Sequence, residues 1–287
     1  MIAFFKHWIV RPWIQTLTFT TLLIVIAIVF AIPLVIFFPE IYRRSEVESS
    51  FEIKLWNTAF NTLVTFLAIW ITIKKVDKEV FGQFYIDLKW PLLFRGFGFG
   101  VVVVVVAVAV SFGVGWVHFE YAGLTRYFFY SLIFYFLVAI CEELIFRSYL
   151  LSRFSKTYNP IAANLVTALL FSFVHLGNDH VTLIGLISIC LSGFWFGQVT
   201  HHTGSIWPAV GMHWSWNFIQ GPVFGYGVSG HHLPGLFIPT LQGSDSLTGG
   251  AFGIEGSIVT VFMAFVAIII THMKMRSLNP TSALNKP

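Results

Sequence analysis

The sequence predicts an all-α, polytopic integral membrane protein, and two observations predict it: the composition and the lengths of the apolar segments. Of 287 residues, 56% are hydrophobic and only 10% are charged, and the mean hydropathy is +0.79. Soluble domains carry roughly 25% charged residues. Because a backbone in lipid must satisfy its own hydrogen bonds, the apolar segments are expected to be helices. We therefore expect about eight transmembrane helices, with the lipid bilayer as the surroundings of the protein.

The apolar segments define these expected helices one by one. Crossing the hydrocarbon takes about 20 helical residues. Eight segments approach this length: 13–38, 55–73, 91–117, 127–150, 160–176, 181–199, 205–220 and 254–273. The first segment is longer than a signal-peptide core of about 7–15 residues, so we expect it to be retained as a span. The valine run 101–106 would favour a strand in water, but in lipid it favours a helix.

Lysine and arginine are distributed unevenly between the two ends of these segments. One end would carry Lys6, Arg11, Lys74, Lys75, Lys78, Lys89, Arg153, Lys156, Lys274, Arg276 and Lys286. The other end would carry Arg43, Arg44, Lys54 and Arg126. Cytoplasmic loops are the basic ones, so both termini are expected in the cytoplasm. The basic residues flank apolar runs and form no stripe, so nucleic acid is not an expected partner.

The fourth segment contains ionisable residues at membrane depth, which usually indicate a functional site. Glu143 and Arg147 are four residues apart on the helix, so they share a face and can form a supporting ion pair. Glu142 is rotated from that face by about 100°. We therefore expect Glu142 to face a cavity. The alternative is that both glutamates only hold helices together.

Two later segments carry polar residues with the same helical spacing. Phe171 and His175 are four residues apart, as are His213 and Asn217. A buried glutamate such as Glu142 can activate water as a general base, and His175, His213 and Asn217 can donate hydrogen bonds to an oxyanion. Alternatively, Glu142, His175 and His213 could bind zinc with water as the fourth ligand. Either arrangement would activate water for attack on a carbonyl carbon.

Three short motifs resemble those of the CAAX protease and bacteriocin-processing family, which is also called the Abi or Rce1-like family. EELIFR at 142–147 is similar to its EExxxR motif, FSFVH at 171–175 to FxxxH, and HWSWN at 213–217 to HxxxN. Their order and approximate spacing agree, and the resemblance extends over about residues 125–220. It implies an intramembrane endopeptidase in which Glu142 activates water and His175, His213 and Asn217 position it and stabilise the oxyanion. Glu143 and Arg147 would support them, as would Phe171.

The resemblance also sets the expected organisation and partners of the chain. We expect N-terminal transmembrane helices over 1–120, an Rce1-like protease core over 121–276 and a cytoplasmic tail over 277–287. The substrate would be a membrane-associated protein or peptide, and the location the plasma (inner) membrane of a bacterium. Members of the family are described both as metalloproteases and as metal-free glutamate proteases. The sequence therefore leaves open whether the cofactor is zinc or none.

Two other functions are compatible with the same residues. Glutamate and histidine relays are common in pumps, so a proton-coupled transporter using Glu142 and His213 is one alternative. The other is a catalytically silent immunity or scaffold protein.

The predicted depths of the site residues in the membrane are uneven. At a rise of ~1.5 Å per residue from the cytoplasmic ends, Glu142 and His213 lie ~12 Å deep and His175 ~22 Å.

Overall fold

The computed structural model describes residues 2–37 and 51–278, which are mostly helical. Its side-chain surroundings are described for residues 10–32 and 51–274. The helices are α1 (Ile2–Phe37), α2 (Phe51–Ile71), α3 (Trp90–Gly113), α4 (Arg126–Glu143), α5 (Leu151–Phe154), α6 (Pro160–Val174), α7 (Leu183–Thr203), α8 (Trp207–Phe218), α9 (Asp245–Thr248) and α10 (Ile258–Leu278). Two strands, β1 (Val117–Tyr121) and β2 (Phe237–Leu241), form an antiparallel ribbon. The predicted positions Arg43, Arg44 and Lys286, and nearly all of the predicted tail 277–287, lie outside the described residues.

The protein is an integral membrane protein, but the predicted count of eight spans is not confirmed. Among the described residues, six helical segments are long and apolar enough to cross a membrane: Val10–Ile32, Phe51–Asp77, Trp90–Gly113, Arg126–Phe154, Pro160–Gly177 and Leu183–Thr203. The predicted segment 205–220 corresponds to α8, which has only 12 residues. The predicted segment 254–273 corresponds to α10, whose apolar part is Ile258–Lys274. Neither is counted among the six segments, although α8 continues into a π-helical stretch, Ile219–Val223, and the whole of α10 has 21 residues.

Local sequence signals position the helices that carry the polar motifs. Asn159 caps α6 by accepting a hydrogen bond from the Ala162 amide at 2.9 Å, and Pro160 occupies the first turn, where proline is tolerated. Thr182 caps α7 in the same way through the Gly185 amide. Helix α7 ends at Gly204, which adopts a left-handed conformation with φ of 59°.

Helix α8 is held close to α3 by glycine on both sides of the contact. A Cβ atom on Gly96 of α3 would lie 2.1 Å from the Pro208 carbonyl oxygen, and one on Gly211 would lie 2.1 Å from the Leu93 carbonyl oxygen. Small residues allow such close backbone approach between membrane helices. This contact fixes the position of the helix that carries His213 and Asn217.

Helix α4 continues into α5 through a π-helical stretch, Leu144–Leu150. Arg147 lies within this stretch and is 1% exposed. Single π turns in α-helices are rare and are frequent at functional sites. The wider turn was not predicted, since its cause lies in tertiary packing and no local signal marks it.

The predicted third span ends earlier than expected, at Gly113 instead of 117. From Val117 the chain forms β1, which pairs with β2. Strand β2 begins 120 residues after β1, and the register runs from Val117↔Leu241 to Tyr121↔Phe237. An all-α prediction missed this ribbon because its stability comes from pairing between distant segments. Strand β2 is part of the long connection between α8 and α10.

Candidate active site

Four polar residues of the three motifs line one cavity of about 660 Å³ between the helices. Glu142 comes from α4, His175 follows α6, and His213 and Asn217 come from α8. Further parts of the wall come from α2, from other residues of α4, from the end of α6 and the loop after it, and from the loop 228–233. The structure therefore brings together the four residues that the sequence predicts to be catalytic. Their chemical roles stay a prediction.

His213 connects the two neighbouring glutamates of α4. Its Nδ1 donates to Glu143 Oε1 at 2.9 Å, and its Nε2 lies 3.8 Å from Glu142 Oε2. Glu143 Oε1 also accepts a hydrogen bond from Arg147 Nη1 at 3.0 Å. The side chains of Glu143 and Arg147 are 0% and 2% exposed. The expected ion pair is therefore present, and in addition the same carboxylate orients the histidine.

Glu142 differs from Glu143 in its surroundings, as its rotation on the helix predicts. Its side chain is 29% exposed and lines the large cavity, whereas Glu143 is fully buried. Glu142 Oε2 is itself shielded and has no hydrogen-bond partner among the described residues. A carboxylate oxygen of this kind, beside an imidazole nitrogen and a cavity, is positioned to accept a proton from a bound water.

His175 lies at the end of α6, where the helix tightens into a 3₁₀ turn, His175–Gly177. Its Nδ1 donates to the Phe171 carbonyl oxygen at 2.7 Å. In the neutral ring this hydrogen bond leaves Nε2 as the acceptor nitrogen. Phe171 packs its ring against Arg147, with 4.2 Å from Cζ to the ring centroid, and against His175 at 4.9 Å between centroids. Phe171 thus holds both residues in place.

The difference in depth predicted for His175 does not keep it from the other three residues. Helix α6 ends at Val174, so His175 lies at the helix end that borders the cavity. The cavity extends from Glu142 in the interior to Lys54 at the start of α2 and to Asp179 after α6. Residues at different depths therefore line one elongated space.

The fit of a metal ion can be judged from the ligand atoms. Glu142 Oε2 and His213 Nε2 are neighbours, and the hydrogen bonds made by Nδ1 of His175 and of His213 leave the Nε2 atoms as the possible ligand atoms, as in metal-binding histidines. Within the described ranges, no group of three or more His, Cys, Asp or Glu side chains has an arrangement that would hold a metal ion. As placed, the side chains of Glu142, His175 and His213 are not gathered around one common ion position.

The sequence did not reveal two further residues near this site, Ser229 and Glu255. Both line a second cavity of about 30 Å³ that also contacts His175, His213 and Asn217. Burial raises the pKa of the Glu255 carboxyl above its usual range, although the hydrogen bond from the Ser229 amide opposes this shift. A signal was available, because Glu255 is an acidic residue in an otherwise apolar and glycine-rich stretch, 248–256.

The fold and the site define a class of protein: a polytopic helical membrane protein with glutamate, histidine and asparagine side chains around a cavity between its helices. Residues 124–219 match the family model described as type II CAAX prenyl endopeptidase Rce1-like. This part of the chain is therefore an Rce1-like domain, and it contains the three motifs from Glu142 to Asn217. No curated protein matches the chain. The Rce1-like family consists of CAAX-type intramembrane proteases, which supports a membrane endopeptidase and does not favour a transporter or a scaffold.

Proposed function

We propose that the protein is an intramembrane endopeptidase that hydrolyses a peptide bond of a membrane-associated protein or peptide with a water activated by Glu142. The observation that carries the proposal is the position of Glu142. Its buried Oε2 atom lies 3.8 Å from His213 Nε2, at the wall of a cavity of about 660 Å³. The cavity has the size of a ligand site, for which volumes of roughly 300–1,000 Å³ are usual.

Each polar group then has a role that follows from its hydrogen bonds. Glu142 removes a proton from water, and the water oxygen attacks the carbonyl carbon of the scissile bond. His175, with its Nδ1–H engaged by the Phe171 carbonyl, offers Nε2 to orient that water. His213 has a carboxylate near each ring nitrogen, which favours the doubly protonated ring.

The oxyanion that forms on the substrate needs donors at the same cavity wall. Asn217 offers its amide N–H, and the protonated His213 offers Nε2–H. When the tetrahedral intermediate collapses, the C–N bond breaks and Glu142 returns its proton to the leaving amine. The products are a carboxylic acid and an amine, which become a carboxylate and an ammonium group when the acid proton passes to the amine, and Glu142 is again ionised.

The cavity also indicates the side from which a substrate enters. It extends toward Lys54, Asp179 and the loop 228–233, all at one end of the bundle. The opposite end carries Lys74, Lys75, Arg153 and Lys156. Because basic loops are cytoplasmic, we propose that the cavity opens on the non-cytoplasmic side of the membrane.

Cysteine labelling in intact cells tests this orientation. The exposed residues Leu124, before α4, and Leu88, before α3, lie at opposite ends of the bundle. With Cys141 and Cys190 replaced by serine, Leu124→Cys should react with a membrane-impermeant maleimide and Leu88→Cys only after permeabilisation. The reverse pattern would place the cavity on the cytoplasmic side. Loss of peptide cleavage in Glu142→Gln tests the activity itself.

A further inference from the structure

The segment 228–233 forms the wall of the large cavity opposite α4, and a tight turn defines its shape. Val228 and His231 exchange two backbone hydrogen bonds, each of 2.9 Å. The two residues between them both have positive φ: 48° at Ser229 and 85° at Gly230. A two-residue turn with positive φ at both positions favours Asn-Gly or Gly-Gly, so a serine in the first place is conformationally costly.

Hydrogen bonds to the segment that precedes α10 stabilise this unfavourable turn on the side away from the large cavity. The Ser229 amide donates to Glu255 Oε1, and the Gly230 amide donates to the Phe252 carbonyl oxygen at 2.9 Å. A Cβ atom at Gly230 would lie 1.9 Å from the Asp179 carbonyl oxygen, so the turn also packs tightly against the loop after α6. The Glu255 bond is the only one of these that depends on a side chain.

Glu255 lies behind the catalytic residues. His175, His213, Asn217 and Ser229 line both cavities, whereas Glu142 lines only the large one and Glu255 only the small one. These four residues therefore separate the two acidic groups. Glu255 is 6% exposed, so it does not reach the space where a substrate would bind.

We propose that Glu255 is a positioning residue of the active site, which fixes the Ser229–Gly230 turn as the substrate-contacting wall and so determines which side chains fit beside the scissile bond. This role rests on the proposed peptidase function. A buried amide that loses its acceptor is costly to leave unpaired, so a single carboxyl oxygen can hold the turn. The ligand of the wall is the part of an extended peptide that flanks the bond to be cleaved.

Two measurements on Glu255→Ala and Glu255→Gln test the proposal, with Glu120→Ala in the exposed ribbon as the matched control. The first is amide hydrogen exchange of segment 226–233 in the purified full chain. Exchange should accelerate roughly tenfold or more in Glu255→Ala and less in Glu255→Gln, which keeps an acceptor oxygen. Helix α3 should exchange at the parental rate in all three variants.

The second measurement is selectivity between a cleaved peptide and its variant with one flanking side chain shortened to alanine. The ratio of the two kcat/KM values does not depend on the fraction of folded enzyme, so a merely structural role leaves it unchanged. We expect the ratio to fall severalfold toward one in Glu255→Ala, and to stay nearer the parental value in Glu255→Gln. Parental exchange in Glu255→Ala, or an unchanged ratio, would overturn the proposal. If no peptidase activity exists, Glu142→Gln will match the parent in every assay, whereas the exchange measurement still reports on Glu255 and the turn.

Discussion

Glu143 Oε1 accepts a hydrogen bond from His213 Nδ1 at 2.9 Å, across 70 residues of sequence. The same oxygen accepts from Arg147 Nη1 at 3.0 Å. Glu143 therefore has two tasks: it neutralises a buried arginine and fixes the ring of a histidine whose other nitrogen lies beside Glu142. Through its contact with His213, Glu143 is connected to Glu142, so that Arg147, Glu143, His213 and Glu142 form one chain of contacts.

Removing Arg147 should destabilise the fold. Arg147→Ala removes the guanidinium that pairs with the buried Glu143 carboxylate, and breaking a buried pair costs about 3–5 kcal/mol. We expect a lower folded yield and a lower melting temperature in detergent. The exposed pair Arg126–Glu52, at 3.7 Å, offers a matched control, since Arg126→Ala should leave the melting temperature close to that of the parent.

A double substitution separates charge from packing at this position. Replacing Glu143 and Arg147 together by glutamine removes both charges and should recover part of the stability that Arg147→Ala loses. If Arg147→Ala accumulates and melts like the parent, the ion pair has no structural role.

Removing the oxyanion donors should reduce cleavage without a comparable loss of stability. One donor contributes roughly 10²–10³ in rate, so His213→Ala and Asn217→Ala should each lower kcat by about that factor. His118→Ala, at an exposed position of β1, should cleave like the parent. Glu142→Gln combined with His213→Ala should be little slower than either single variant, because residues that act as a unit are not additive. If the rate reduction in the double variant equals the product of the two single reductions, the two residues act independently.

The basic end of the bundle should show an acid-dependent loss of stability through Glu79. Hydrogen bonds from the Arg153 guanidinium lower the pKa of Glu79 to about 2, with a further contribution from Lys156 at 2.5 Å. A carboxyl of depressed pKa stabilises the fold above its unfolded value of about 4.3 and loses that contribution as the pH falls. The contribution of Glu79 to stability is therefore lost as the pH falls from about 4.3 to about 2.

Melting temperatures across this window check the sign of the effect. Glu79→Gln should melt below the parent at neutral pH, and the difference should shrink as the pH falls toward 2. Asp87→Asn, at an exposed position nearby, should show a smaller difference. If the difference in melting temperature between Glu79→Gln and the parent stays constant down to low pH, protonation of Glu79 does not contribute to the acid-dependent loss of stability.

Metal dependence can be measured separately from the roles of the side chains. We propose a metal-free mechanism, because Asn217 is a poor zinc ligand and a suitable oxyanion donor. Activity of the purified enzyme should survive a strong chelator, and the protein should contain no stoichiometric metal. Loss of activity with the chelator and its return with added zinc would require a metalloenzyme instead.

The sequence predicts those parts of the site that depend on spacing within one helix. The Glu143–Arg147 pair, the cavity-facing side of Glu142 and the start of α6 at Pro160 follow from helical geometry and capping. The hydrogen bond between Glu143 and His213 could not be predicted, because the sequence already paired Glu143 with Arg147 and grouped His213 with Asn217 on its own helix. The ribbon and the Ser229–Glu255 bond are likewise contacts between distant segments, for which the apolar pattern holds no information.

The most direct test of the account is cleavage by Glu142→Gln, which keeps the shape of the side chain and removes the general base. A general base contributes roughly 10²–10⁴ in rate, so cleavage of an identified membrane-associated peptide should fall by that factor or more. The melting temperature should stay close to the parental value, and Glu120→Gln, an exposed substitution in β1, should cleave normally. Parental cleavage by folded Glu142→Gln would contradict the proposed peptidase mechanism.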